Sequence, residues 1–259
     1  MYTKIDLINS FKELEIKRDD TLLVHSSMKS IGNVENGADT VLDAFIEYLE
    51  PGLLIFPTHS WATINENNNV FNVLKEPACI GILPNLFMKR EGVVRSYHPT
   101  HSVAALGMGA KEYTSGEEKL ETPCNRKGCW GKLYDRKAKI LFLGCTLKPN
   151  TYLHGVEEWN GINNRLSIAP TKYKIVKENG DIIDCLQFGH KSTFGDISQN
   201  YIKMEKPFVY KGIAKKGTIG DATSYLCDAV GMADLTSSFL KLNNDMFTNN
   251  DVVPEKWYK

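Results

Sequence analysis

The sequence contains no Cys-x-x-Cys pair, no HExxH, no GxSxG, and neither a GxGxxG nor a GxxxxGK[ST] loop. Their absence removes the usual zinc-ribbon, zincin, nucleophile-elbow, dinucleotide and P-loop readings. No apolar run approaches the roughly 20 residues that span a bilayer. The first 17 residues mix apolar and charged side chains and lack the unbroken apolar stretch of a signal peptide. This reading makes the protein cytoplasmic, with no membrane partner. Charge of one sign is also missing. Lys plus Arg equals Asp plus Glu at 31 each, so no global field steers the chain to nucleic acid.

Six cysteines, Cys79, Cys124, Cys129, Cys145, Cys185 and Cys227, are scattered without a second close pair. They read as free thiols rather than a disulfide framework or a metal centre, so no metal is expected. A hydrophobic share of 42% over 259 residues suffices for a sizeable core. No repeat or linker interrupts the chain, and residues 1–259 read as one domain.

Apolar spacing predicts a helix over 4–17, a buried strand at Thr21–His25, a helix over Asp39–Leu49 and a strand at Leu53–Phe56. That order implies a parallel pair in an α/β sheet. A polar loop over 59–78, a helix at Gly81–Arg90 and a strand at Ser102–Leu106 follow. Lys111–Lys132 reads as irregular and Lys139–Leu143 as a buried strand. Thr171–Lys177 and Asp181–Leu186 flank Asn179-Gly180 as a hairpin, which makes the sheet mixed. A helix near 195–206, a strand at Phe208–Ala214, a last core helix at Gly220–Val230 and a fraying tail from Asn243 complete the reading.

Three segments set small polar residues at strand ends: His25-Ser26-Ser27 with Ser30, Pro57-Thr58-His59-Ser60, and His98-Pro99-Thr100-His101-Ser102. Ligands of open α/β sheets bind beyond such ends, and hydroxyls there suit phosphates or amide chains. Ordinary turn and cap chemistry fits each segment alone. His25 and His98 read as core or loop hydrogen-bonders, while His59 and His101 belong to the presumed crevice.

The segment from Lys148 to Glu158 is the most specific. Asn150 or Thr151 reads as an N-cap, and His154 falls in the first turn, where the helix dipole favours a neutral imidazole able to accept a proton. Glu157 shares its face, three residues on. It is placed to orient the ring or to pair with a cation. A capping histidine beside a solvated Glu pair fits the same spacing.

Together, LLVHSSMKSIG (22–32), PGLLIFPTHSW (51–61), GVVRSYHPTHSVAALG (92–107), LFLGCTLKPNTYLHGVEE (141–158) and GTIGDATSYLCDA (217–229) resemble the aminoglycoside 3-N-acetyltransferase family, also called the antibiotic N-acetyltransferase fold. The resemblance covers most of the chain. It implies an α/β fold distinct from the GNAT acetyltransferases, with acetyl-CoA as donor and a small-molecule amine as acceptor. It implies that Ser26, Ser27, Ser30, Ser102 and Val103 lie in segments lining the CoA groove. Thr58 and His101 complete the expected cofactor-binding set. His154 falls on the family's catalytic histidine and Glu157 on its nearby acid. Where acidic residues are expected to hold a polycationic drug, this chain carries Gln187 to Thr193, with His190 and Lys191. The first reading is an acetyl-CoA-dependent N-acetyltransferase acting on an aminoglycoside-type acceptor; the departure brings a less cationic amino sugar, or a nucleotide-linked one, close behind it, with weak activity expected on aminoglycosides. A CoA-binding protein without turnover is the reading from another class. A homodimer is left open.

Overall fold

The computed structural model describes residues 1–259. Helix α1 (Lys4–Glu13) starts at a reciprocal Thr3–Asp6 capping box and stops short of residue 17, because Glu15 turns to φ +67°. Strand β1 (Thr21–Ser26) leads through a 3-10 turn (Met28–Ile31) to α2 (Ala38–Tyr48) and β2 (Leu53–Pro57). Then come β3 (Val70–Asn72), α3 (Ile82–Phe87), β4 (Val94–Arg95), β5 (Val103–Gly107), α4 (Ala110–Thr114), α5 (Cys129–Asp135), β6 (Lys139–Leu143) and α6 (Thr151–Trp159). The remainder holds β7 (Thr171–Val176), β8 (Ile182–Gln187), a 3-10 helix (Ile197–Met204), α7 (Glu205–Tyr210), β9 (Ala214–Ile219), β10 (Ala222–Asp228) and α8 (Ala229–Leu242).

The central sheet is seven-stranded, in the order β4-β5-β2-β1-β6-β10-β9. β1 runs parallel to β2 and to β6, while β5 and β10 run antiparallel to their inner neighbours. Side chains alternate between two cores. Leu23, Ile55, Ile140 and Phe142 enter one, and Leu22, Val24, Leu54, Leu141 and Leu143 enter the other. Both faces are therefore dry and covered by helices. The architecture is α/β with a mixed central sheet flanked by helices.

Several expectations need correction. The Asn-Gly hairpin forms, but it pairs with β3 in a separate three-stranded sheet, so β3 occupies part of the supposed 59–78 loop. Lys111–Lys132 includes short helical segments that lack side-chain N-caps, which hid them. Phe208–Ala214 is not a strand: Phe208–Tyr210 end the helix α7, a turn follows and only Ala214 belongs to β9; Pro207 sits in the first turn of α7, where a proline is tolerated. Gly220–Val230 is mostly strand β10. That strand is buried on both sides, with Tyr225 and Cys227 in one core and Ala222 and Leu226 in the other, which erased the alternation that marks a strand. The tail does not fray into solvent: Met246, Phe247, Val253 and Tyr258 are buried. No helix is long and apolar enough to cross a membrane.

Candidate active site

The three parallel strands β2, β1 and β6 end on one side of the sheet. Beyond those ends lies a cleft of about 1080 Å³, the position expected for a ligand of an open α/β sheet. Trp61, Ile64, Ile80 and Pro84 line one part of it, and His154, His190, Lys191 and Asp196 another.

β6 leaves the sheet at Gly144, whose φ is +64°. A Cβ there would sit 2.6 Å from the Cβ of Ser30, so only glycine fits both the angle and the packing. Ser30 Oγ donates to the Gly144 carbonyl at 3.0 Å and lies 2.9 Å from Ser27 Oγ. Ser27 and Ser30 therefore hold the turn behind the cleft, and Ser26 reaches its wall. His101 also lines the wall. Thr58, Ser102 and Val103 do not, since all three are fully buried. Val103 packs in the core. The Thr58 and Ser102 hydroxyls meet at 2.9 Å, and Arg95 Nε donates to both. The other Arg95 nitrogens donate to the carbonyls of Val73, Glu76 and Thr58.

Helix α6 carries the opposite wall. His154 Nδ1 lies 2.8 Å from the Tyr201 hydroxyl, which donates to Glu157 Oε2 at 2.6 Å. Arg165 Nε donates to Glu157 Oε1 at 2.5 Å, in a pair sealed from solvent on both sides. The single Tyr201 proton points to Glu157, so His154 Nδ1 must donate to the Tyr201 oxygen. Nε2 is left as the acceptor, a tautomer assigned from the network. Burial and the neighbouring His190 push His154 well below the usual imidazole range, so the ring is neutral at pH 7. Burial raises Glu157, and Arg165 opposes it. Glu157 thus does both things its spacing allowed: it pairs with a cation and supports the ring, through a tyrosine.

The two adjacent glutamates serve two histidines. Glu158 Oε1 lies 2.7 Å from His190 Nε2 and accepts the Cys124 N–H at 3.1 Å. His190 stacks on His154 with centroids 4.3 Å apart. Burial moves Glu158 up to about 7 and His190 down to about 3. The remaining rings continue outward. His101 meets His190 at 4.9 Å, His59 meets His101 at 4.8 Å, and His98 meets His101 at 5.7 Å. His98 Nδ1 accepts the Thr100 and His101 N–H groups, a turn role as expected. His25 stacks on Phe142 and Trp130 and also lines the cleft, beyond its expected core role. Five of the six histidines thus line this cleft, and the sixth, His98, packs behind His101. Cys145 lines it too, but burial raises its thiol to about 12, which keeps it unreactive.

Sequence reasoning found neither Tyr201 nor Arg165. Tyr201 lies 47 positions from His154 on a 3-10 helix, and nothing local marks either residue as a partner.

The family model described as aminoglycoside 3-N-acetyltransferase matches residues 23–241. Aminoglycoside N(3)-acetyltransferase III from Salmonella sp. is 25% identical over 284 aligned positions, covering 98% of this chain and 96% of that protein. The SPbeta prophage-derived aminoglycoside N(3')-acetyltransferase-like protein YokD of Bacillus subtilis is 31% identical over 176 residues, 60% of this chain and 64% of that protein. Among solved structures, AAC-IIIb in a binary complex with CoASH superposes with a TM-score of 0.82 at 21% identity, covering 93% of this chain and 97% of that one. Fold and relatives together define an acyltransferase outside the GNAT class. The chain belongs to the aminoglycoside 3-N-acetyltransferase family.

Proposed function

We propose that this protein transfers acetyl from acetyl-CoA to an amine, with His154 as general base. The observation that carries the reading is the chain Glu157–Tyr201–His154, which holds a neutral imidazole at the cleft with Nε2 unprotonated. The acceptor nitrogen, as free amine, attacks the thioester carbonyl. Its N–H proton passes to Nε2, the C–S bond breaks, and the CoA thiolate takes a proton. Tyr201 and Glu157 stabilise the imidazolium that forms, and an N–H or hydroxyl of the wall holds the oxyanion. Ser26 and His101 touch the cofactor. Ser27 and Ser30 keep the turn beneath it in shape, while Thr58, Ser102 and Val103 act from behind the wall. CoASH in the related AAC-IIIb supports the donor.

The acceptor follows from charge. Lys148 and Lys191 line the cleft with Asp196 as the one carboxylate among its lining residues, and Arg165 is already paired. A drug with several ammonium groups loses hydration there with little compensation. This favours a less cationic amino sugar, including a nucleotide-linked one whose phosphates would meet Lys191. The test is thiol release from acetyl-CoA with a panel of amines, in the wild type and in Lys191→Glu. Expected is a higher kcat/KM for the nucleotide-linked sugar, with Lys191→Glu moving preference toward the aminoglycoside. A wild-type preference for the aminoglycoside that Lys191→Glu leaves unchanged would overturn the acceptor reading. No thiol release with any amine would overturn the transferase reading.

A further inference from the structure

Behind His190, three groups of different chemistry converge from distant parts of the chain. Cys124 Sγ, a Glu158 carboxylate oxygen and a His190 ring nitrogen all lie within 4.8 Å of one another. Cys124 is fully buried. The Glu158 side chain is 5% exposed and that of His190 14%. Glu158 Oε2 is buried without any hydrogen-bond partner. A buried carboxylate oxygen left bare is costly, and an ion is one of the few things that explains it.

We infer that Cys124, Glu158 and His190 form a binding site for a zinc-class divalent cation that acts as an inhibitor of the neighbouring cleft. The donor set is sulfur, imidazole and carboxylate, the mixture that suits zinc and disfavours magnesium or calcium. Zinc bond lengths place neighbouring ligand atoms about 3.4–3.6 Å apart, so the widest separation must close by about 1 Å, while Glu158 Oε1 and His190 Nε2, now 2.7 Å apart, must open. Binding expels the Cys124 thiol proton, now donated to the Thr151 carbonyl at 3.6 Å, and the proton shared by His190 and Glu158. Three protein ligands leave a fourth position open. His190 lines the cleft, so the ion arrives from that side. Two protons leave as the ion enters, so the net charge is unchanged; the bound ion instead pins the ring stacked against His154 and turns its open position toward the cleft, where a substrate amine or thiol can ligate it. No local Cys-His spacing announces the site, because its ligands come from the loop before α5, from α6 and from the segment after β8.

The site is tested on the whole chain with Co²⁺ and Zn²⁺, independently of turnover. Expected is one Co²⁺ per chain with a sulfur-to-cobalt charge-transfer band. Cys124→Ser and His190→Gln should abolish the band or weaken binding about tenfold or more, while Cys79→Ser, at an exposed thiol elsewhere, should change nothing. If Cys124→Ser does not fold, as judged by its melting curve, Cys124→Ala replaces it. Absence of stoichiometric binding, or binding that both variants retain, overturns the site. Where the wild type turns over, added Zn²⁺ should lower the rate and a chelator restore it, with Cys124→Ser resistant. Zinc binding at the site without rate loss overturns the inhibitory role.

Discussion

Arg165 lines the cleft and Arg95 lies behind its wall; both are buried and both donate to three backbone carbonyls, but their remaining bonds lead to different places. Arg95 gives its nitrogens to three carbonyls and two hydroxyls and lies 4.7 Å over the Phe71 ring. No carboxylate bonds to it; burial pulls its pKa down to about 10, and the nearby Glu76 charge opposes that only in part. Arg165 meets Glu157, whose second oxygen continues through Tyr201 to His154. One network closes on backbone and holds loops in place. The other ends on a ring at the cleft. A buried cation is therefore informative only through where its partners lead.

The largest expected effect sharpens the catalytic half of that contrast. His154→Ala should lower kcat by about 10²–10⁴ while CoA affinity stays within about threefold. Steady-state kinetics and calorimetry check this, and near-wild-type turnover would remove His154 as base. Next, Arg165→Met strands a buried carboxylate and should cost about 3–5 kcal/mol of stability. Arg95→Met leaves only neutral oxygens bare and should cost less, about 1–3 kcal/mol. Denaturant titration of the two variants compares them, and equal losses would erase the distinction. Tyr201→Phe keeps the ring but cuts the chain to Glu157. Loss of this supporting hydroxyl should lower kcat by about 10–100-fold and alter the acid limb of the pH profile, and the bared Glu157 oxygen should cost about 1–3 kcal/mol of stability.

The smallest effect is a slope. His25 titrates near 3 in the folded protein because it is buried, against about 6.5 when unfolded. Between those values the unfolded chain binds the extra proton, so this residue's contribution to stability rises with pH and is lost on acidification below about 6.5. Glu117 and Glu158, raised to about 7 by burial, act oppositely between about 4.5 and 7. They are unchanged in His25→Phe. That variant should therefore show a pH dependence of stability between pH 6 and 5 shallower by about 1.4 kcal/mol per pH unit. An unchanged slope would mean that His25 becomes charged in the folded state.

Legibility in the sequence followed locality. β1, α2, β2, β6 and the start of α6 could be read because short apolar runs end at clear turn signals, and His154 with Glu157 sit on one helical face. β10 could not, because burial on both sides removes a strand's alternation. α7 could not, because Phe208-Val209-Tyr210 has strand-like composition within a helix. Tyr201, Arg165 and the grouping of Cys124 with Glu158 and His190 are products of chain crossing, and single-sequence spacing carries no record of them. Hydroxyl-rich strand ends located the cleft correctly, yet they overstated how many hydroxyls face it. Thr58 and Ser102 turn inward to Arg95.

The gathering of five histidines at one cleft, with the sixth packed just behind, has a spectroscopic consequence. A label confined to the imidazole nitrogens would give twelve resonances, two from each ring, with no background from the rest of the chain. Ring-nitrogen shifts distinguish the two neutral tautomers from the charged form. A single titration followed by magnetic resonance would then read the proton on His154, the arrival of a cation at His190 and the approach of either substrate in one spectrum.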